Sequence, residues 1–404
     1  MQRTAPPDNI TRVDDIDPEV KKILADKVDN DEAFWLADFN RVRHSLKLWE
    51  DNLPNVNMFY AMKCCDEPEL LKFLARRGYG FDCASSVELQ TILNLGVDPK
   101  KIIFTHPLKP IRSLQFAREK KIKRLVYDTE EELRKIVNYY PEAEVFLRVK
   151  PTFSNARIRL SNKFGATPDE AHYLMDLTKE LDANFIGFAF HVGSYCDDET
   201  TFDGALKYAA QLRQYAQKIG LNVSFIDIGG GFLPPTTKAH FSFEQIAKSI
   251  TTAMDKYFPD KTVTFNAEPG RFIGSEYMDL YMPVICNKEV TKDDGKIAQC
   301  IFIPDGIYGC FNAIMYDHAE PHFYWYPQTK PVNDKEKVNT MLWGQTCDSM
   351  DEVYDIMQWP RIEIGDLLFV RKFSAYTYSP HSNFNGFLHH RVFYVNEDDK
   401  DAKY

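Results

Sequence analysis

VNMFYAMKCCDEPELLKFLARRGYGFDCASSVELQTILNLGVDPKKIIFT, residues 56–105, is the stretch on which the fold turns. Three short apolar runs, VNMFYAM (56–62), YGFDCA (79–84) and KIIFT (101–105), alternate with two amphipathic ones, PELLKFLARRG and SVELQTILNLG. Short aromatic and β-branched runs bounded by turn residues read as strands, and apolar residues three or four apart read as one face of a helix. Both helical stretches stop at glycine, which supplies the left-handed residue that commonly ends a helix. The segment therefore predicts strand, helix, strand, helix, strand.

The alternation continues through KRLVYD (123–128), EVFLRV (144–149), FIGFAFHV (185–192), VSFIDI (223–228) and TVTFNAE (262–268). EELRKIVNYY, DEAHYLMDLTKEL and GALKYAAQLRQYAQKIG supply helices between them. Eight such units in roughly 215 residues match a (β/α)8 TIM-type barrel. A doubly wound open sheet shows the same alternation, because periodicity does not count closure. Beyond about residue 275 the texture becomes dense β-type runs without long helices (DLYMPVICN, IAQCIFIP, TMLWG, DLLFVRK, RVFYV), and EAFWLADF near the start reads as one more strand. The expected organisation is α/β plus all-β: a barrel over 38–275, with 1–37 and 276–404 forming a second β-sheet or β-barrel domain. PHFYWYPQTKPVNDKEK is assigned to a surface loop, and NEDDKDAKY to a polar tail.

Composition bounds the function. A chain of 404 residues, 44% hydrophobic and 27% charged, is a folded protein too large for one ordinary core. A net charge of -10 and a pI near 5.6 argue against nucleic acid, which demands clustered lysine and arginine. The basic run Lys120, Lys121, Lys123, Arg124 reads as a solvated helix end. No stretch approaches the roughly 20 apolar residues that cross a bilayer, and MQRTAPPDNI lacks the charged and apolar parts of a signal peptide, so a soluble cytoplasmic protein is expected. Eight scattered cysteines without a C-x-x-C pair read as reduced thiols. No metal site is expected: His318, Glu320 and His322 are adjacent, but Pro321 prevents the helix that would align the imidazoles.

In a β/α barrel the C-terminal strand ends carry the chemistry. That filter returns Lys63, Asp82, Arg148, His191 with Ser194, the run Gly229, Gly230, Gly231, and Glu268 with Arg271. Lys63 either snorkels to solvent or serves as the neutral amine of a Schiff base. Three glycines after a seventh strand let backbone N–H groups approach a phosphate, with Arg271 and Ser194 adding donors, although glycines also simply make tight turns. Glu268 paired with a pyridine nitrogen would keep it protonated as an electron sink, the electronics of pyridoxal 5'-phosphate. It is equally spaced to pair with Arg271. His191 could stack on a flat ring, or be a satisfied core histidine.

At these residues the sequence resembles the eukaryotic ornithine decarboxylases, in the alanine-racemase-like group of pyridoxal-phosphate enzymes, over nearly the whole chain. YAMKC, GFDCAS, LRV (Arg148), RLSNKFG (Lys163), HVGS, DIGGGF and AEPGR (Gly270, Arg271) follow the family's order and spacing. The resemblance makes Lys63 the Schiff-base lysine and implies roles beyond the barrel. WGQTCDSMD points to Cys347 as the acid that protonates Cα and to Asp348 at the substrate's distal ammonium. YDHA gives Asp317 at the same ammonium and Tyr316 among the substrate-binding residues, SAYT puts Tyr376 by the phosphate, and NFNGF puts Phe384 at a dimer boundary and against the substrate. It implies a homodimer with shared active sites, L-ornithine as substrate, putrescine and CO2 as products, a place in polyamine biosynthesis, and an antizyme-like regulator as a further partner. Decarboxylation of lysine, arginine or diaminopimelate, or a non-catalytic role like that of the antizyme inhibitors, are the alternatives. Tyr195 and Ser374 stand where the family usually has glycine, and Cys65 where it has asparagine.

Overall fold

The computed structural model describes residues 9–26, 31–151, 163–194, 196–292, 295–328 and 336–397. Two compact units emerge, one spanning His44–Ile273 and the other joining the segment up to Arg43 with the chain from Gly274 onward.

The first unit is a closed barrel. Its strands are β1 (Val56–Ala61), β2 (Gly80–Cys83), β3 (Ile102–Phe104), β4 (Arg124–Tyr127), β5 (Glu144–Arg148), β6 (Phe185–Ala189), β7 (Phe225–Asp227) and β8 (Thr264–Ala267). Each runs parallel to the next, and β8 returns to β1 with Phe265 opposite Val56, which excludes the open sheet. Strands covered on both faces need apolar residues on both, which is why they appear in the sequence as runs rather than as alternations. Val126, Phe146, Ala189 and Phe225, from β4 to β7, form one cluster of the interior, with the Phe146 and Phe225 rings 5.2 Å apart. Several βα turns are set by side-chain caps: Ser85 accepts from the Glu88 amide, Thr129 from that of Glu132, and Asp198 from that of Thr200. These caps fix where each helix begins, and so the depth at which the preceding loop projects from the barrel's C-terminal end.

The second unit holds two sheets. One has six strands in the order Ile10–Arg12, Phe323–Tyr326, Leu367–Val370, Met278–Pro283, Phe34–Asp38 and Arg391–Val395. The other runs Cys286–Thr291, Ile297–Phe302, Lys337–Trp343 and Glu352–Pro360. EAFWLADF does join this unit, inside the six-stranded sheet. The loop expected over PHFYWYPQTKPVNDKEK is corrected in its first half. FYWY is a strand of alternating burial, with Phe323 and Trp325 inward, because it pairs with both Ile10–Arg12 and Leu367–Val370. Residues 329–335 lie outside the described residues. Ser374 is fully buried, accepts from the Met278 amide at 3.1 Å and donates to the Gly274 carbonyl, so its hydroxyl is satisfied.

No disulfide joins the eight cysteines. Among the described residues no helix is long and apolar enough to cross a membrane.

Candidate active site

The C-terminal ends of the barrel strands bring the predicted barrel residues to one rim. Lys63 sits in the 3-10 turn Met62–Cys64 immediately after β1, where its half-exposed ammonium pairs with Asp82 of β2. Asp82 is fully buried and also accepts from the Thr105 hydroxyl beyond β3, so its position is fixed from two sides. Burial of Asp82 at 1% exposure is tolerable because both its charge and its second oxygen are matched.

Beside this pair stand two more carboxylates, Asp227 at the end of β7 and Glu268 just past β8. Burial first, then the negative charge of Asp82, pushes the Asp227 pKa up, and the Gly229 amide opposes this at 2.8 Å from Oδ1. Among the described residues its Oδ2 has no hydrogen-bond partner. Glu268 is raised well above the ordinary carboxylate range by burial, then by Asp82 and Asp227. Lys63 is already paired with Asp82, and the charges of Lys63, Arg124 and Arg148 do not outweigh the burial of the two further acids, so a cationic ring nitrogen is the kind of group that relieves them.

The rest of the rim supplies a flat neutral face and an anion cradle. The partly buried His191 accepts from the Gly193 amide through Nδ1 at 3.0 Å. Desolvation, then the charges of Arg148 and Lys63, lowers its pKa to about 3, so the ring is uncharged at neutral pH. Gly229 and Gly231 have φ of +66° and +109°, conformations that side chains resist. A Cβ on Gly230 would fall 3.0 Å from His191 Nε2 and 2.9 Å from the Glu268 carbonyl, so only glycine leaves this ledge open. Arg271 lies with Nη2 3.5 Å from the Ser194 hydroxyl, and Gly270 packs on Cys64, where a Cβ would come within 2.9 Å. Arg148 ends β5 with its guanidinium 5.3 Å from the centre of the Phe164 ring. A planar cationic heterocycle bearing an aldehyde and a phosphate fits this donor set, so the residues present suit pyridoxal phosphate. Most of the RLSNKFG segment, apart from Lys163, Phe164 and Gly165, and all of Tyr195, lie outside the described residues.

The neutrality of His191 makes a stability prediction. The folded imidazole resists protonation down to about pH 3 while the unfolded one protonates near about 6.5, so the unfolded state binds more protons between those limits and stability falls as pH falls through that window. Denaturant melts of His191→Asn across the same range are expected to show a shallower acid limb than wild type.

In the second unit a separate group forms around Cys347. Its thiol-bearing residue is exposed, and its amide donates to Asn385 Oδ1 at 3.0 Å. Asp348 accepts from the Tyr308 hydroxyl and, at 2.9 Å, from the Met350 amide, and the first of these bonds is the main reason its pKa is lowered. Phe384 stacks on Tyr308 with ring centres 4.4 Å apart. Cys347 and Asp348 line a groove of about 500 Å³ together with Trp343, Phe302, Met341 and Lys288. Asp317 caps the short helix Asn312–Tyr316, and Tyr376 adopts φ +55°. Tyr316 and Phe384 are exposed, as are Met315, Met350 and Leu388, a large apolar load for a free surface.

Several residues here escaped sequence reading. Asp227 ends its strand two residues before the glycine run, and the strand-end filter passed over it for the glycines that follow. Asp351, buried and accepting from the amides of Ile307 and Thr346, shapes the Cys347 loop, and Tyr308 and Asn385 hold its two key residues. His322 Nε2 lies 2.8 Å from the Thr11 hydroxyl.

A family model described as pyridoxal-dependent decarboxylase, pyridoxal binding domain, matches residues 39–275. Ornithine decarboxylase of Rattus norvegicus is 35% identical over 398 residues, covering 96% of this chain and 85% of that protein. Antizyme inhibitor 2 of Xenopus laevis is 35% identical over 389 residues, covering 94% of this chain and 84% of that protein. Among solved structures, the arginine decarboxylase of Paramecium bursaria Chlorella virus matches with a TM-score of 0.84 at 32% identity, covering 93% of this chain and 99% of that one.

Proposed function

The chain belongs to the pyridoxal-dependent decarboxylases, and on that premise we propose that it converts L-ornithine to putrescine and carbon dioxide, in polyamine biosynthesis in the cytoplasm. The observation that carries the reading is the surplus of carboxylates, Asp82, Asp227 and Glu268, around the single amine of Lys63, beside a neutral His191.

Bound there, pyridoxal phosphate supplies an aldehyde for an amine and, with its ring nitrogen protonated, a sink for the electrons left when a carboxylate departs. The chain's residues do the rest. Lys63 provides the amine, held by Asp82. Glu268 would pair with the ring nitrogen and keep it protonated; burial and the neighbouring Asp82 and Asp227 push its own pKa up, a cost that a cation beside it relieves. His191 covers one ring face without adding charge. The amides of Gly229, Gly230 and Gly231, with Gly270, Ser194 and Arg271, would bind the phosphate, a role that the resemblance also gives Tyr376, and Arg148 offsets the acids. Cys347 passes its thiol proton to Cα once carbon dioxide has left, and Asp348 and Asp317, with Tyr316, hold the distal ammonium.

Two such sets belong in one site when two chains associate, the barrel of one with the Cys347 loop of the other. The exposure of Cys347 and of the apolar residues Tyr316, Met350 and Phe384 on its neighbouring loops supports a homodimer of this kind.

Substrate choice is tested at Asp348. Asp348→Asn removes the charge that meets the ammonium, and kcat/KM for ornithine is expected to fall by about one to two orders of magnitude, mostly through KM. The reaction itself is tested by offering carboxyl-labelled ornithine, lysine, arginine and diaminopimelate to purified protein and trapping carbon dioxide. Fastest release from ornithine is expected. Silence with every substrate despite bound cofactor would favour a regulator of the kind to which antizyme inhibitor 2 belongs. Retention of Lys63, Cys347, Asp348 and Asp317 together argues for the enzyme, because a binding surface requires none of them.

A further inference from the structure

Within the second unit, next to the loop that holds Asp348, the loops after Ile297–Phe302 and after Leu367–Val370 bring together Asp305, Cys310, His381 and His390. One potential ligand atom from each residue lies within 4.8 Å of the other three, and among the described residues no other group of this kind exists. We propose that these four side chains form a closed site for one divalent transition-metal ion of the zinc class.

The donor chemistry selects the ion. Two imidazoles, one thiol and one carboxylate make an N2SO set, which suits zinc and cobalt and is too soft for magnesium or calcium. Tetrahedral bonds of about 2.0–2.3 Å place ligand atoms about 3.3–3.8 Å from one another, a modest adjustment from the spacing observed. Four protein ligands would fill that shell, the mark of a structural ion rather than a catalytic one.

The surroundings are built for such a role. Asp305 is fully buried, and its Oδ1 is fixed by the amides of Gly306 at 2.6 Å and Cys310 at 2.8 Å, leaving Oδ2 to face His390 Nε2 at 3.0 Å. Outer bonds of this type orient a metal-binding carboxylate. His381 Nδ1 is buried and, among the described residues, has no hydrogen-bond partner, which is costly for an imidazole nitrogen unless something else occupies its lone pair or takes its proton. The Asp305–His390 ion pair leaves the nearby His381 imidazole outside it, and a metal held by all four side chains brings that ring in.

The consequence follows from position. His381 and His390 bracket the segment that carries Phe384 and Asn385, the residues that touch Tyr308 and Cys347. An ion would staple that segment to the Asp305–Cys310 turn and so hold the Cys347 loop in place. This last step rests on the function proposed above; the binding of metal does not.

The test is metal analysis of the holoenzyme purified without chelator, together with Cys310→Ser and His381→Gln. About one zinc per chain is expected in wild type and a small fraction of that in both variants, with the cofactor's absorbance retained. In wild type stripped by a chelator, cobalt is expected to give a thiolate charge-transfer band that Cys310→Ser abolishes, and zinc to raise the melting temperature by several degrees. Equal metal content in wild type and both variants, or a stripped wild type that gives neither band nor shift, would overturn the site. Should a variant fail to fold, the cobalt band and zinc shift of wild type decide alone, and neither depends on decarboxylase activity.

Discussion

Replacing Lys63 with alanine is expected to cut turnover by about three orders of magnitude or more while leaving cofactor able to enter the site. Among the described residues Lys63 is the amine that pairs with Asp82, and Asp82 is itself pinned by Thr105, so the amine is held in place on the barrel rim. Phosphate contacts from the glycine ledge and Arg271 do not pass through Lys63, and the mutant is expected to bind cofactor reversibly with an absorption spectrum closer to that of the free aldehyde. Steady-state rates and an absorption scan of the variant check both halves. Unchanged rate and spectrum would mean that this lysine only snorkels to solvent.

Cys347→Ala is expected to lower kcat about 10²- to 10⁴-fold, the usual contribution of a positioned acid, with KM for ornithine little changed because Asp348 and Asp317 remain. The loop should survive the change, since its shape is set by Asp351 and by the Asn385 contact to the Cys347 backbone. Mixing Cys347→Ala with Lys63→Ala chains under conditions of subunit exchange extends the test. Random reassortment makes half of the dimers hybrids with one intact site of two, so activity is expected to recover to about a quarter of wild type. No recovery despite demonstrated exchange would mean that both residues act within one chain.

How much of this was legible in the sequence depends on how local the determinants are. The barrel strands announced themselves because each is a short apolar run flanked by an amphipathic helix, and the rim residues followed from strand ends. The helices Pro18–Asp26, Phe39–Asn52, Ile111–Glu119 and Phe243–Tyr257 were not singled out. The six-stranded sheet was beyond local reading, because its neighbours come from distant parts of the chain, as where Phe34–Asp38 lies between Met278–Pro283 and Arg391–Val395. FYWY escaped for the same reason: a proline on either side signals a loop, and only its two partner strands make it a strand. Cys347, Asp348, Asp317, Tyr376 and Phe384 were reached through resemblance alone, since a lone cysteine or a loop acid has no periodicity to betray it. Asp305, Cys310, His381 and His390 carry no ligand spacing either, because two loops some seventy residues apart contribute to the cluster.

The central claim is that Lys63 holds the cofactor, and it is tested most directly by reducing the holoenzyme with borohydride, digesting it and locating the cofactor's mass by peptide sequencing. The tag is expected on Lys63, at the end of YAMK, in near-stoichiometric amount. A tag on another lysine, such as the buried Lys109 or the loop residue Lys163, or no tag on a protein that retains bound cofactor, would contradict it.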